Sequence, residues 1–255
     1  DGIKSYKPFP KKPERPCIFE YIYFARPDSI VGGKSIYECR KGFGRELANE
    51  SNVEADMVIP IPDSGVPSAI GYAEQAGIPF ELGITRNHYV GRTFIQPKQS
   101  IRSFGVRLKH NANRTLVAGK RIVLIDDSIV RGTTSVKIVQ MMREAGAKEI
   151  HFRVSSPPIT HSDFYGIDTP SKDQLLASTK SVDEMCEYLG ADSLAFLSIE
   201  GIYQALGHKD GRNADCPQYT DHCFTGDYPT LLEDESGGEL NSQLSFLSMA
   251  EPHEH

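Results

Sequence analysis

The chain has 255 residues, 39% hydrophobic and 24% charged, with a formal net charge of -6. That composition suits a globular protein with a full core, and its acidic balance excludes a general nucleic-acid binder, which needs a basic face. No run approaches the ~18 apolar residues of a membrane span, and the Lys- and Pro-rich opening is no signal peptide. Neither nucleic acid nor membrane is therefore expected as a partner. The five cysteines (Cys17, Cys39, Cys186, Cys216 and Cys223) are odd in number and widely spaced. They form no disulfide framework, which fits a reducing cytosol and a cytoplasmic location.

Residues 1–16 read as a Pro-rich hinge or linker. A short apolar run at 56–61 (DMVIPI) predicts a strand, followed by a turn at Pro62-Asp63-Ser64-Gly65 and a helix over 66–75 that stops at Gly77. Residues 78–84 read as the next strand. Between Arg86 and Arg114 lies a long connection carrying Arg86, Arg92, Lys98, Arg102, Arg107, Lys109 and Arg114. Such length inside a compact domain is uncommon, and its basicity in an acidic chain suggests a lid for an anionic ligand; a solvated loop is the alternative. Residues 121–125 (RIVLI) are the clearest buried strand, with a helix over 133–145 and a strand over 149–155 after it.

Further on, Ser181-x-x-Glu184 is a capping-box pattern opening a helix that ends at Gly190. A strand over 193–197 and a short helix over 199–206 follow. Residues 231–255 are acidic and aperiodic, and a disordered tail is expected there. The alternation of strand, helix and strand predicts an α/β fold: a doubly wound, mostly parallel sheet with a smaller flanking subdomain.

The most informative segment is 123–135, VLIDDSIVRGTTS. An apolar strand ends in Asp126 and Asp127, and a short loop of Ser128, Ile129, Val130, Arg131 and Gly132 leads into a helix beginning Thr133, Thr134, Ser135. Open α/β sheets place ligands at the carboxyl ends of their strands. Unpaired N–H groups at a helix start bind phosphate, and Gly132 allows close backbone approach. Two adjacent carboxylates would accept hydrogen bonds from sugar hydroxyls or help hold hydrated Mg²⁺. Asp-Asp alone would read as a turn; the complete order of strand, acidic pair, loop, Gly-Thr-Thr and helix is far more specific.

This segment resembles the phosphoribosyl-pyrophosphate motif of the type I phosphoribosyltransferases. The resemblance implies that Asp126 and Asp127 contact ribose hydroxyls while Ser128 and Arg131 to Ser135 cradle the 5′-phosphate. The blocks EYIYFARPDS (20–29), YVGRTFI (89–95), YGID (165–168) and FTGDYPT (224–230) narrow it to the glutamine phosphoribosylpyrophosphate amidotransferase family. Together they cover about 17–230, the expected phosphoribosyltransferase domain.

In that family the turn Asp63, Ser64, Gly65 resembles a pyrophosphate loop, with Ser64, Asp126 and Asp127 near Mg²⁺. Arg92 and Lys109 are then expected on the closing loop as the catalytic residues that reach the diphosphate. The implied activity is amination of 5-phosphoribosyl-1-pyrophosphate to phosphoribosylamine with release of pyrophosphate, the first step of de novo purine synthesis, with a homo-oligomeric assembly. The family also has a glutaminase domain opening on a cysteine nucleophile. Residue 1 here is Asp, so ammonia rather than glutamine is the expected nitrogen source.

Some family members hold a 4Fe–4S cluster on four cysteines. Cys17, Cys216 and Cys223 fall near such positions, but Asp163 stands where cluster-bearing relatives have the fourth cysteine. Four thiolates are the usual requirement, so a cluster-free transferase is expected. Cys39 and Cys186 read as inert packing residues. Two other readings remain: a nucleobase phosphoribosyltransferase, and a non-catalytic regulator that senses the ribose diphosphate, although no helix-turn-helix accompanies it.

Overall fold

Alternate residues of the central apolar runs enter two different cores, and this organises the molecule. The computed structural model describes residues 2, 4–6, 13–87 and 110–230. After a π-helical turn (Glu20–Phe24) come β1 (Ile30–Val31), β2 (Lys34–Ser35), α1 (Ile36–Ser51), β3 (Met57–Pro60) and α2 (Val66–Ala76). Next are β4 (Ile84–Arg86), β5 (His110–Ala112), α3 (Arg114–Val117), β6 (Arg121–Asp126), α4 (Thr133–Glu144) and β7 (Glu149–Val154). A 3-10 turn (Lys172–Gln174), α5 (Leu176–Thr179), α6 (Val182–Leu189), β8 (Ser193–Phe196), α7 (Ile199–Ala205) and α8 (His222–Thr225) complete the series.

Strands β3, β6, β7 and β8 lie side by side in that order, all parallel. Val58, Val123 and Ile125 point into a core shared with α1, α2 and α7, through residues such as Phe43, Leu47, Tyr72 and Ile202. Ile59, Ile122, Leu124, Ile150 and Phe152 point the other way, against Ile138 and Met142 of α4 and Met185 and Leu189 of α6. Side chains alternate across a strand, so apolar residues at every position require helices on both faces. The doubly wound parallel fold expected from the sequence is thus present.

The smaller flanking part joins the two ends of the described chain. Thr220 N donates to the Pro16 carbonyl (2.9 Å), Ile18 N to the Thr220 carbonyl (3.0 Å), and Thr220 Oγ1 to the Arg15 carbonyl (2.7 Å). Arg15 and Arg212 converge on Asp227, and Arg212 also pairs with Asp221, which accepts Tyr203 Oη at 2.8 Å.

One feature differs from the sequence expectation. The strand expected over 78–84 is reduced to one bridge between Phe80 and Val58. Pro79 has no N–H to give a ladder, and a β-carbon at Gly83 would stand 2.4 Å from Ile59 Cδ1, so the chain leaves the sheet. It then forms β4, which pairs antiparallel with β5 in a separate ribbon. Helix α1 runs for 16 residues. Its glycines are contact surface: a β-carbon on Gly42 would lie 3.4 Å from Ala205 Cβ of α7, one on Gly44 would lie 1.9 Å from the Ser68 carbonyl oxygen, and one on Gly71 of α2 would lie 2.0 Å from that of Lys41. Backbone meets backbone where α1 and α2 cross. The capping box at α6 is complete, with Ser181 N donating to Glu184 Oε2 at 2.7 Å and Glu184 N to Ser181 Oγ at 3.3 Å.

Candidate active site

Because β3 and β6 are parallel and Pro60 pairs with Ile125, the segments after both strands leave the sheet together. Ile61 N donates to the Ile125 carbonyl at 2.8 Å, carrying the pairing one residue further. The turn 62–65, which includes a cis peptide bond between Pro62 and Asp63, folds back over the end of β6. Gly65 touches that end: a β-carbon there would lie 2.4 Å from the Ile125 carbonyl oxygen and 2.9 Å from that of Ile61. Only glycine leaves room for this approach.

The acidic pair sits beneath the turn. Asp126 and Asp127 are both buried. Asp126 Oδ1 accepts the Asp127 N–H at 2.9 Å, while the Asp126 carbonyl accepts Ser155 N at 2.9 Å and Ser155 Oγ at 3.2 Å. Asp127 accepts the Ser128 hydroxyl at 2.5 Å, and the Ser64 hydroxyl lies near enough to act on it. Ser64 thus links the 62–65 turn to the carboxylates. Burial, and then the neighbouring Asp127 charge, push Asp126 well above the ordinary carboxylate range. Burial raises Asp127 too, opposed by the Ser128 and Ser64 hydroxyls and by the Arg40 charge. Two buried carboxylates side by side favour any ligand that supplies positive charge or hydroxyl donors.

Beyond Ser128, Ile129 is buried in the α4-side core and the Val130 carbonyl accepts Leu176 N at 2.9 Å, which pins the loop. Gly132 has φ 72°, and no side chain caps α4. Thr133 and Thr134 are exposed at the helix start, whereas Ser135 is buried. These first-turn N–H groups and hydroxyls form an anion cradle with the favourable end of the helix dipole behind them. The guanidinium of Arg131 is engaged by Gln174 Oε1, with Nη2 at 3.1 Å.

On the other side, Asp63 is ion-paired with Arg86 at the end of β4. Arg86 Nε is buried without a hydrogen-bond partner among the described residues, so the guanidinium keeps donor capacity. Arg92 and Lys109 lie outside the described residues. Asp63, Ser64, Gly65, Asp126, Asp127, Ser128 and 132–135 are therefore gathered at one end of the sheet.

The sequence reading missed Arg40. It is buried in α1, and its Nε and Nη2 donate to the carbonyls of Tyr21 (3.0 Å) and Ala25 (2.7 Å). Its charge also acts on Asp127. A detectable signal existed: Arg40 falls on the apolar stripe Ile36, Phe43, Leu47 of α1, where a charge has no place without a task.

Among the cysteines, Cys39 is buried and Cys186 half-buried, with its thiol on the Ala191 carbonyl at 3.3 Å. Cys223 is buried and Cys17 half-buried, whereas Cys216 is exposed.

Residues 35–157 match the phosphoribosyl transferase domain model, which includes both the 62–65 turn and the 126–135 segment. The chain is 62% identical over 248 residues to an amidophosphoribosyltransferase of Rhizobium etli, covering 97% of this chain and 50% of the relative. It is 55% identical over 229 residues to the chloroplastic amidophosphoribosyltransferase 1 of Arabidopsis thaliana, covering 90% of this chain and 39% of that one. The solved glutamine phosphoribosylpyrophosphate amidotransferase of Bacillus subtilis, complexed with ADP and GMP, superposes with a TM-score of 0.81 at 52% identity, covering 92% of this chain and 51% of that chain. The chain thus spans about half the length of the relatives it matches. With the phosphoribosyltransferase fold, the matched domain and identity above one half along most of its length, the chain belongs to the amidophosphoribosyltransferase family.

Proposed function

We propose that this chain binds 5-phosphoribosyl-1-pyrophosphate and transfers its phosphoribosyl group to ammonia, releasing pyrophosphate and forming phosphoribosylamine. The observation that carries the reading is the convergence of a buried acidic pair, an uncapped helix start and the 62–65 turn at one end of the sheet. A phosphate suits the 132–135 cradle, ribose hydroxyls suit Asp126 and Asp127, and a diphosphate suits the turn beside Arg86.

Ammonia is already nucleophilic, so no covalent nucleophile or general base is assigned. The chain's task is to hold the sugar, keep the acidic pair opposite the developing positive charge at C1, and offer donors to the leaving diphosphate. Arg92 and Lys109 are proposed to complete that second role. Mg²⁺, when bound, would act as a Lewis acid on the diphosphate; Ser64, Asp126 and Asp127 are hard oxygen donors that fit such an ion.

The same reading takes 17–230 as the transferase domain, 1–16 as a linker and 231–255 as a tail, the last lying outside the described residues. No helix among the described residues is long and apolar enough to cross a membrane. A cytoplasmic location is proposed.

The test is pyrophosphate release from phosphoribosyl pyrophosphate and Mg²⁺ with ammonium, glutamine or nucleobases supplied separately. Release with ammonium alone is expected, together with a sharp loss in Asp127→Asn. Release only with a base would move the assignment to a nucleobase phosphoribosyltransferase, and binding without release would leave a sensor.

A further inference from the structure

Away from the site, one buried cluster is made of side chains that proteins commonly use to hold metals. Cys17 leads into the π-helical turn, Asp163 lies in the loop after β7, and His222 and Cys223 open α8. These segments are also joined by backbone. Cys17 bridges to Thr220, and the Cys223 carbonyl accepts Thr160 N and His161 N at 3.0 and 3.1 Å. Cys17, Asp163 and Cys223 lie near enough to act on one another electrostatically.

The donor set decides what such a cluster can hold. A 4Fe–4S cluster takes four thiolates, and structural zinc takes four N or S ligands. Only two thiols join this cluster, and Cys216 is exposed.

Asp163 is already committed. Its Oδ1 accepts the N–H groups of Tyr165 (2.8 Å) and Ile167 (2.9 Å). Its Oδ2 lies 2.8 Å from His222 Nε2, the two side chains being 3% and 2% exposed. The imidazole is walled by Tyr165 at 5.2 Å and Tyr228 at 4.9 Å between ring centroids. A metal at this place would have to part Asp163 from His222 and strip a carboxylate from two backbone donors. Among the described residues no three His, Cys, Asp or Glu side chains converge in a way that could hold a metal ion.

We propose that this cluster is a metal-free clamp, in which the close buried contact of Asp163 with His222, rather than an iron–sulfur cluster or a zinc ion, fastens the 160–169 loop to α8. Through Thr220 and Cys17 the clamp reaches the segment that enters the core. Its integrity then depends on neither iron supply nor oxygen. The inference is independent of the proposed activity, because each readout below is structural.

The full chain would be produced with iron and zinc supplementation, purified with and without oxygen, and offered ferrous iron and sulfide anaerobically. Iron, acid-labile sulfide, zinc and visible absorbance are measured, with melting temperature in EDTA and in air. The expected result is a colourless protein with substoichiometric metal and one melting temperature throughout. Stoichiometric iron with sulfide, stoichiometric zinc, or a melting temperature lowered by chelation would each overturn it.

The clamp is read in the unaltered chain by hydrogen exchange at the Tyr165 and Ile167 amides, expected at least ~100-fold slower than in an unstructured peptide. Free exchange there would sink the clamp even if no metal were found. Where Asp163→Asn and His222→Gln fold, each should lower the melting temperature, with the double variant no lower than the worse single. Additive losses would mean that the two residues act separately.

Discussion

Gly65 lies directly against the carbonyl of Ile125, so close that a β-carbon would stand 2.4 Å from the oxygen. The contact presses the 62–65 turn onto the strand end that immediately precedes Asp126. A methyl group there cannot be absorbed by rotating a side chain, because the obstacle is backbone. Gly65→Ala is expected to cost about 1–3 kcal/mol of stability, as overpacking usually does. It should also weaken phosphoribosyl pyrophosphate binding by lifting Ser64 off Asp127. Calorimetric melting and titration of the substrate with Mg²⁺ read the two effects; unchanged binding would separate the turn from the ligand site.

The acidic pair should oppose the stability of the ligand-free fold. Burial and the Asp127 charge raise Asp126 well above the ordinary carboxylate range. An unfolded chain releases that proton in the ordinary range, whereas the folded chain holds it to higher pH and binds more protons across the interval between. Stability contributed by this group therefore falls as pH rises through the interval. Asp126→Asn should flatten that part of the profile and raise the neutral-pH melting temperature, by about 2–4 °C for each kcal/mol relieved. Substrate binding should be lost in the same variant. Melts from acid to neutral pH in EDTA, parent beside variant, test this; superimposable profiles would refute it.

Arg86 and Asp63 connect the β4–β5 ribbon to the turn across a partly exposed surface. Such pairs contribute about 0–1 kcal/mol to stability, so Arg86→Met should melt close to the parent. If the guanidinium with its spare Nε–H faces the diphosphate, KM for phosphoribosyl pyrophosphate should rise by ~10-fold or more, a binding loss near 1.4 kcal/mol. Steady-state kinetics decide this, and a variant with lowered stability but unchanged KM would make the pair merely structural.

Ser181→Ala supplies the contrast. It removes one half of the α6 capping box, remote from the acidic pair in sequence, and should cost about 1 kcal/mol. Melting temperature should fall by about 2–4 °C, with pyrophosphate release unchanged. A drop in turnover at temperatures where the variant is fully folded would show that α6 communicates with the site.

The run from 121 to 135 was legible because everything it needs is local: an apolar strand, two carboxylates at its end, a glycine and a helix start. The capping box of α6 was legible for the same reason. The close seating of α1 on α2 was not, because the purpose of Gly44 shows only when Ser68, 24 residues further on, lies against it. Residues 78–84 failed in the opposite sense. The sequence there has strand character, but Pro79 and Gly83 shift it out of the sheet through contacts with β3 that no local pattern encodes. Arg40 stayed hidden because its significance arises only when α1 is folded and Asp127 is buried nearby.

The bare crossing of α1 and α2 sets limits on how this fold can drift. Each helix offers the other a glycine and a backbone carbonyl, so neither surface can gain a carbon atom unless both helices separate. Their outer edges are bound far more loosely, by Lys41 and Arg45 sharing Glu74 near solvent. Natural variation and laboratory redesign should therefore proceed freely along that charged rim, while the glycine seam stays frozen. A grafted replacement for either helix would have to arrive with its counterpart.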